Sequence, residues 1–206
     1  MTPIAVETPH GPARVHVHPP GEAPAGALVL GHGAAGGVGA RDLAAATSAA
    51  RSRGLSVALV EQPYRVAGRR SPAPAHQLDA AWVAVLERLR KRELRGLELV
   101  AGGRSSGARV ACRTAAATGA IGVVCLAFPL QPRRRSGPPP ASRLPELDAV
   151  RVPTLVVQGT RDPFGMPPAA PSRTVVPVDG DHSLRTDLPA VAAAVAGWLG
   201  GLLASS

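Results

Sequence analysis

Residues 97–111, LELVAGGRSSGARVA, run from an apolar stretch straight into a helix-like one, and at the junction Ser105 stands in Gly103-Arg104-Ser105-Ser106-Gly107. The chain has 23 Gly and 12 Ser among 206 residues, so a shuffled sequence would contain G-x-S-x-G roughly one time in seven. The motif therefore takes its meaning from what surrounds it. A serine at a sharp strand-to-helix turn is held in a strained conformation with its hydroxyl exposed. Small residues are needed two before and two after it, because strand and helix approach closely there. Gly103 and Gly107 meet that demand.

Outward from this turn, GALVLGH (26–32), GLSVALVEQ (54–62), LELVAGG (97–103), AIGVVCLAF (120–128), PTLVVQGT (153–160) and TVVPVDG (174–180) are short apolar runs. Such runs suit strands buried on both faces. The segments 40–53, 75–94 and 106–119 between them carry helical patterns, and PAVAAAVAGWLGGLL near the end reads as a further helix packed on a sheet. Strand alternating with helix predicts an α/β fold with a mostly parallel sheet and helices on both faces. IAVET and ARVHVH, with polar and apolar residues alternating around a Pro/Gly break, predict an antiparallel edge hairpin at the N-terminus. The length suits one domain over 1–206 with no large lid. Residues 128–145, rich in Pro and Arg, read as a long surface loop.

A serine hydroxyl is a poor nucleophile until a base takes its proton, so a histidine held by a carboxylate should follow on later strand ends. Asp162 comes just after one buried run and His182 just after the next, in the order Ser, Asp, His. Asp179 and Asp181 share a turn with His182 and rank second as its partner. His10, His16, His18 and His76 belong to the edge hairpin or a helix start, away from the end where Ser105 must sit. The glycine-rich stretch LGHGAAGGVG (30–39) offers a backbone donor for an oxyanion hole at Ala34, beside Gly33, and Ser106 offers the second. Gly31-His32-Gly33-Ala34-Ala35-Gly36 also reads as G-x-G-x-x-G after a strand, with Glu61 where a ribose-binding acid would stand, so a dinucleotide site is the rival reading.

The cations are 22 Arg and one Lys, with a formal net charge of +9. Nucleic acid is not the expected partner, because five aromatics leave few stacking platforms and no recognition motif appears. Arg104, beside the serine, and Arg133, Arg134 and Arg135, leaving the end of a central strand, are candidate substrate-binding residues for negatively charged groups. Arg161, beside Asp162, could add to the same field. Cys112 and Cys125 lie in apolar surroundings and read as small buried hydrophobes rather than as a disulfide framework or metal site. No cofactor, metal or membrane span is expected. The N-terminus lacks the pattern of a signal peptide, which predicts a cytoplasmic protein, while oligomeric state stays open.

GHGAAG, AGGRSSGAR, FPLQP, VVQGTRDPFG and GDHSL together resemble the α/β-hydrolase superfamily. Within it they resemble the small lidless group related to dienelactone hydrolases, in the branch that includes a testis-expressed hydrolase-like protein and a histone acetyltransferase complex subunit. The resemblance runs from about residue 26 onward. It implies an α/β-hydrolase fold and a serine hydrolase, an esterase or thioesterase, with Ser105 as nucleophile, Asp162 as acid and His182 as base. The chain departs from that group after FPL, where QPRRRSGPPP replaces its usual proline-rich loop. A hydrolase-like module without catalysis, serving protein interaction, is the alternative from another class.

Overall fold

The apolar runs lie side by side in a computed structural model of the protein, which describes residues 2–34, 36–132 and 140–204. They form β3 (Gly26–Gly31), β4 (Leu55–Glu61), β5 (Leu99–Arg104), β6 (Gly122–Leu126), β7 (Thr154–Gly159) and β8 (Arg173–Val178), preceded by the short strands β1 (Ile4–Val6) and β2 (Ala13–His18). The sheet order is β1-β2-β4-β3-β5-β6-β7-β8. The β1–β2 and β2–β4 pairs are antiparallel and every other pair is parallel. The chain is thus a single-domain α/β fold with the expected hairpin on one edge.

The near-continuous hydrophobicity of β3 to β7 follows from burial on both faces. On one face α3 (Ala75–Lys91) and α4 (Ser106–Thr118) cover a core containing Val29, Val60, Trp82, Ala108 and Phe128. On the other, α1 (Arg41–Ser52) and α6 (Leu188–Ala204) cover Leu28, Leu30, Val124, Leu155 and Val195. Two short helices complete the fold: α2 (Pro63–Val66) and α5 (Leu144–Asp148). The sequence patterns did not predict them, since one helical turn is too short to show a period. The predicted loop 128–145 therefore ends in the start of α5.

All non-glycine residues with positive φ among the described residues gather at the C-terminal ends of the parallel strands. They are Ser105 (φ 52°) after β5, Ala127 (φ 51°) after β6 and Leu184 (φ 51°) after β8. Side chains rarely adopt this region, and strain of this kind concentrates at functional sites.

Candidate active site

The turn at Ser105 is fixed from both sides. Its N–H donates to the Leu126 carbonyl at 2.9 Å, and its own carbonyl accepts from the Arg109 N–H at 3.2 Å as α4 begins. The helix can start so abruptly because it has no side chain to clear. A Cβ on Gly107 would stand 2.3 Å from the Gly31 carbonyl oxygen, and one on Gly103 would stand 2.6 Å from that same atom. Ser105 thus projects from the turn with φ 52° and ψ −106°.

His182 meets it from the turn after β8. Its Nε2 lies 2.9 Å from Ser105 Oγ and its Nδ1 lies 2.8 Å from Asp162 Oδ2. The carboxylate can only accept, so Nδ1 carries the proton and Nε2 is left to accept from the serine hydroxyl. Asp162, placed by the turn after β7, has a fully buried side chain. Its Oδ1 accepts from the Phe164 N–H at 2.8 Å, and its Oδ2 accepts from Gln158 Nε2 at 2.9 Å as well as from the histidine. Phe164 packs its ring against the imidazole, with centroids 4.5 Å apart. This arrangement can carry a proton from Ser105 to His182 while Asp162 holds the imidazole in one tautomer. The second-ranked carboxylates are engaged elsewhere: Asp179 with Arg161, and Asp181 with the Ser183 N–H and hydroxyl.

The glycine-rich loop after β3 lies against the serine, for a Cβ on Gly33 would be 3.6 Å from Ser105 Cβ and 2.7 Å from Arg104 Nη1. Ala34, next along, has its carbonyl bonded by the Tyr64 hydroxyl at 3.2 Å, while Ser106 is the first residue of α4. The sequence reading passed over His32, which anchors this loop. It is 2% exposed, donates from Nδ1 to the Gly33 carbonyl at 2.8 Å, and accepts the Gln62 N–H on Nε2 at 3.1 Å. Burial holds its pKa below the ordinary 6.5, outweighing the bond to Gly33. A histidine kept neutral in the fold but free to charge when unfolded costs nothing above pH 6.5. It removes stability as pH falls from 6.5 through the lowered folded-state value. Stability should therefore fall in that window by up to about 1.4 kcal/mol per pH unit relative to His32→Asn, checked by urea titration at several pH values. Parallel pH profiles for the two proteins would contradict this role.

Arg104 spends its contacts on the protein itself. Its Nε lies 2.8 Å from Asp42 Oδ2 in an ion pair, and its Nη2 donates to the His182 carbonyl at 3.0 Å. It also lines a cleft of about 170 Å³ with Gly36, Arg41, Ser183 and Arg185. Arg133, Arg134 and Arg135 lie outside the described residues. Gln158, likewise missed by the sequence reading, binds the Phe128 and Gly165 carbonyls as well as Asp162, tying the loop after β6 to the loop after β7. Its only signal was a polar residue inside the apolar strand TLVVQG.

The dinucleotide reading finds a different layout. Glu61 lies beside Arg14 and His16 of β2, each at 3.4 Å. The glycine loop does not open the helix, since α1 begins only at Arg41. Beyond β4 the sheet continues with antiparallel β2 rather than the third parallel strand of a dinucleotide fold. Among the described residues no group of His, Cys, Asp or Glu could hold a metal ion, and no helix is long and apolar enough to cross a membrane.

The sequence model of the alpha/beta hydrolase domain matches residues 24–188. No curated protein matches the chain. Among solved structures, Est1E from Butyrivibrio proteoclasticus superposes with a TM-score of 0.80 at 13% identity, covering 99% of this chain and 100% of its own. A lidless α/β serine hydrolase from Xanthomonas campestris gives 0.75 at 21% identity, covering 94% and 91%. Dienelactone hydrolase from Anabaena variabilis gives 0.73 at 16%, covering 100% and 99%. At these identities the likeness is one of fold.

Proposed function

The chain belongs to the alpha/beta hydrolase domain family, and from that premise we propose that it is a serine hydrolase acting on a small or medium carboxylic ester or thioester. The observation that carries this reading is the bridging position of His182, 2.9 Å from Ser105 Oγ and 2.8 Å from Asp162 Oδ2. His182 takes the hydroxyl proton as Ser105 attacks the acyl carbon, and Asp162 stabilises the imidazolium. The amides of Ala34 and Ser106 receive the oxyanion. His182 then returns the proton to the leaving alcohol or thiol, and a water activated by the same ring releases the acid. One neighbour of the same fold is a serine hydrolase without a lid and another is a dienelactone hydrolase, which supports a short acyl group.

A fluorophosphonate probe tests the reading. It should label the native protein on Ser105 and leave Ser105→Ala unlabelled, whereas an unlabelled native protein would favour the interaction module without catalysis.

A further inference from the structure

Two thiols touch beneath the helix that carries the nucleophile turn. Cys112, in α4, and Cys125, in β6, are both free, and their sulfurs lie 3.5 Å apart. They are not equivalent. Cys125 is fully enclosed, whereas Cys112, 4% exposed, lines a cleft of about 270 Å³ together with Arg113, Ala149, Val150, Arg151 and Val152. The cleft gives a water-sized reagent a route to one sulfur only. Cys125 is held protonated by its contact with Cys112 and by burial, which push its thiol well above the ordinary range.

We propose that Cys112 and Cys125 form a reversible dithiol–disulfide site, entered by a small peroxide through the cleft and coupled to Ser105 through α4. The Cys112 thiolate attacks one peroxide oxygen. The O–O bond breaks, the peroxide is reduced to water with uptake of a proton, and Cys112 becomes a sulfenic acid. Cys125 then attacks the Cys112 sulfur, and its proton leaves with the sulfenic oxygen as a second water. A thiol reductant reverses the change by exchange. No large rearrangement of the chain is needed to bring the sulfurs together, although closure from 3.5 Å to a bond of about 2.05 Å draws α4 toward β6. That helix has no slack at its first turn, where Gly107 meets the Gly31 carbonyl, so the pull is transmitted to Ser105 and Ser106.

The experiment treats the native full chain with hydrogen peroxide, removes the excess, and alkylates free thiols after denaturation. The expected product has lost two hydrogens, takes no alkyl group, yields a linked Cys112–Cys125 peptide, and regains two alkylatable thiols with dithiothreitol. Cys125→Ala should give a Cys112 sulfenic acid that dimedone captures, while Cys112→Ala should leave Cys125 a thiol. Two alkylated cysteines after peroxide, or sulfonic acid without a link, would overturn the site. The coupling rests on the proposed hydrolase reading and is followed separately by the rate of fluorophosphonate labelling. That rate should fall about tenfold or more in the disulfide form and recover on reduction, as expected for a nucleophile misplaced by about an ångström. An unchanged rate in the linked protein refutes the coupling. A reduced protein that takes no probe refutes both the hydrolase reading and the coupling, while the masses still decide the thiol site.

Discussion

Asp162→Asn should fold and yet lose about 10⁴-fold in kcat toward any ester the native protein hydrolyses. The carboxylate accepts from three donors: His182 Nδ1, Gln158 Nε2 and the Phe164 N–H. An amide in its place has one accepting oxygen and one donating nitrogen, so either orientation turns two donors toward each other. With the nitrogen toward His182, the ring is driven to the tautomer that carries its proton on Nε2. That atom can no longer accept from Ser105. The cost in stability is of the order of 1–3 kcal/mol for an unmatched buried donor, small beside the kinetic loss, so circular dichroism and kcat together separate the two effects. Retention of more than about a tenth of the native kcat would mean that Asp162 does not set the imidazole tautomer.

Gly107→Ala should be the most damaging of the conservative stability changes. In a helix interior alanine is ordinarily favoured over glycine by about 1 kcal/mol. Here the added methyl would meet the Gly31 carbonyl oxygen at 2.3 Å and its carbon at 2.5 Å. Both are backbone atoms of a buried central strand, so nothing can rotate away. Overpacking of this kind costs about 3 kcal/mol or more and should exceed the propensity gain. Gly197→Ala in α6 is the control, because no atom lies within 4 Å of the new methyl, and it should be neutral or stabilising by up to about 1 kcal/mol. Urea unfolding of the pair reads the difference. Equal stabilities would mean that α4 can tilt freely away from β3, and the coupling of Cys112 to Ser105 would lose its basis too.

The parts legible in the sequence were those dictated by short-range pattern. Val, Leu and Ala dominate β3 to β7 because both faces are covered, and that burial leaves runs with few polar residues. The turn at Ser105 could be read because close backbone approach admits only small residues at 103 and 107. Asp162 and His182 stood out because each follows an apolar run closely, although the run before His182 is β8, which lies on the sheet edge and is only partly buried rather than covered on both faces. What stayed hidden depends on pairings made across the fold. His32 sits inside the glycine-rich loop and looked like part of its motif, yet its two ring nitrogens bind Gly33 and the Gln62 N–H, a partner thirty positions away. Gln158 differs from its strand neighbours only in being polar, and its three acceptors come from two loops, Phe128 after β6 and Asp162 and Gly165 after β7. Arg104 read as a substrate cation because its position beside Ser105 is a matter of sequence, whereas its engagement with Asp42 is a matter of how α1 packs. No local signal distinguishes one arginine of 22 from the rest.

The claim on which the functional reading turns is that Ser105 becomes covalently acylated. Intact-mass measurement of the protein quenched in acid, shortly after mixing with a p-nitrophenyl ester, tests it most directly. The expected result is a mass increase equal to the acyl group, located on the peptide containing Ser105, absent from Ser105→Ala and accumulating in His182→Gln only at a greatly reduced rate. Ester hydrolysis with no acyl adduct at any time, or an adduct that survives unchanged in Ser105→Ala, would contradict it.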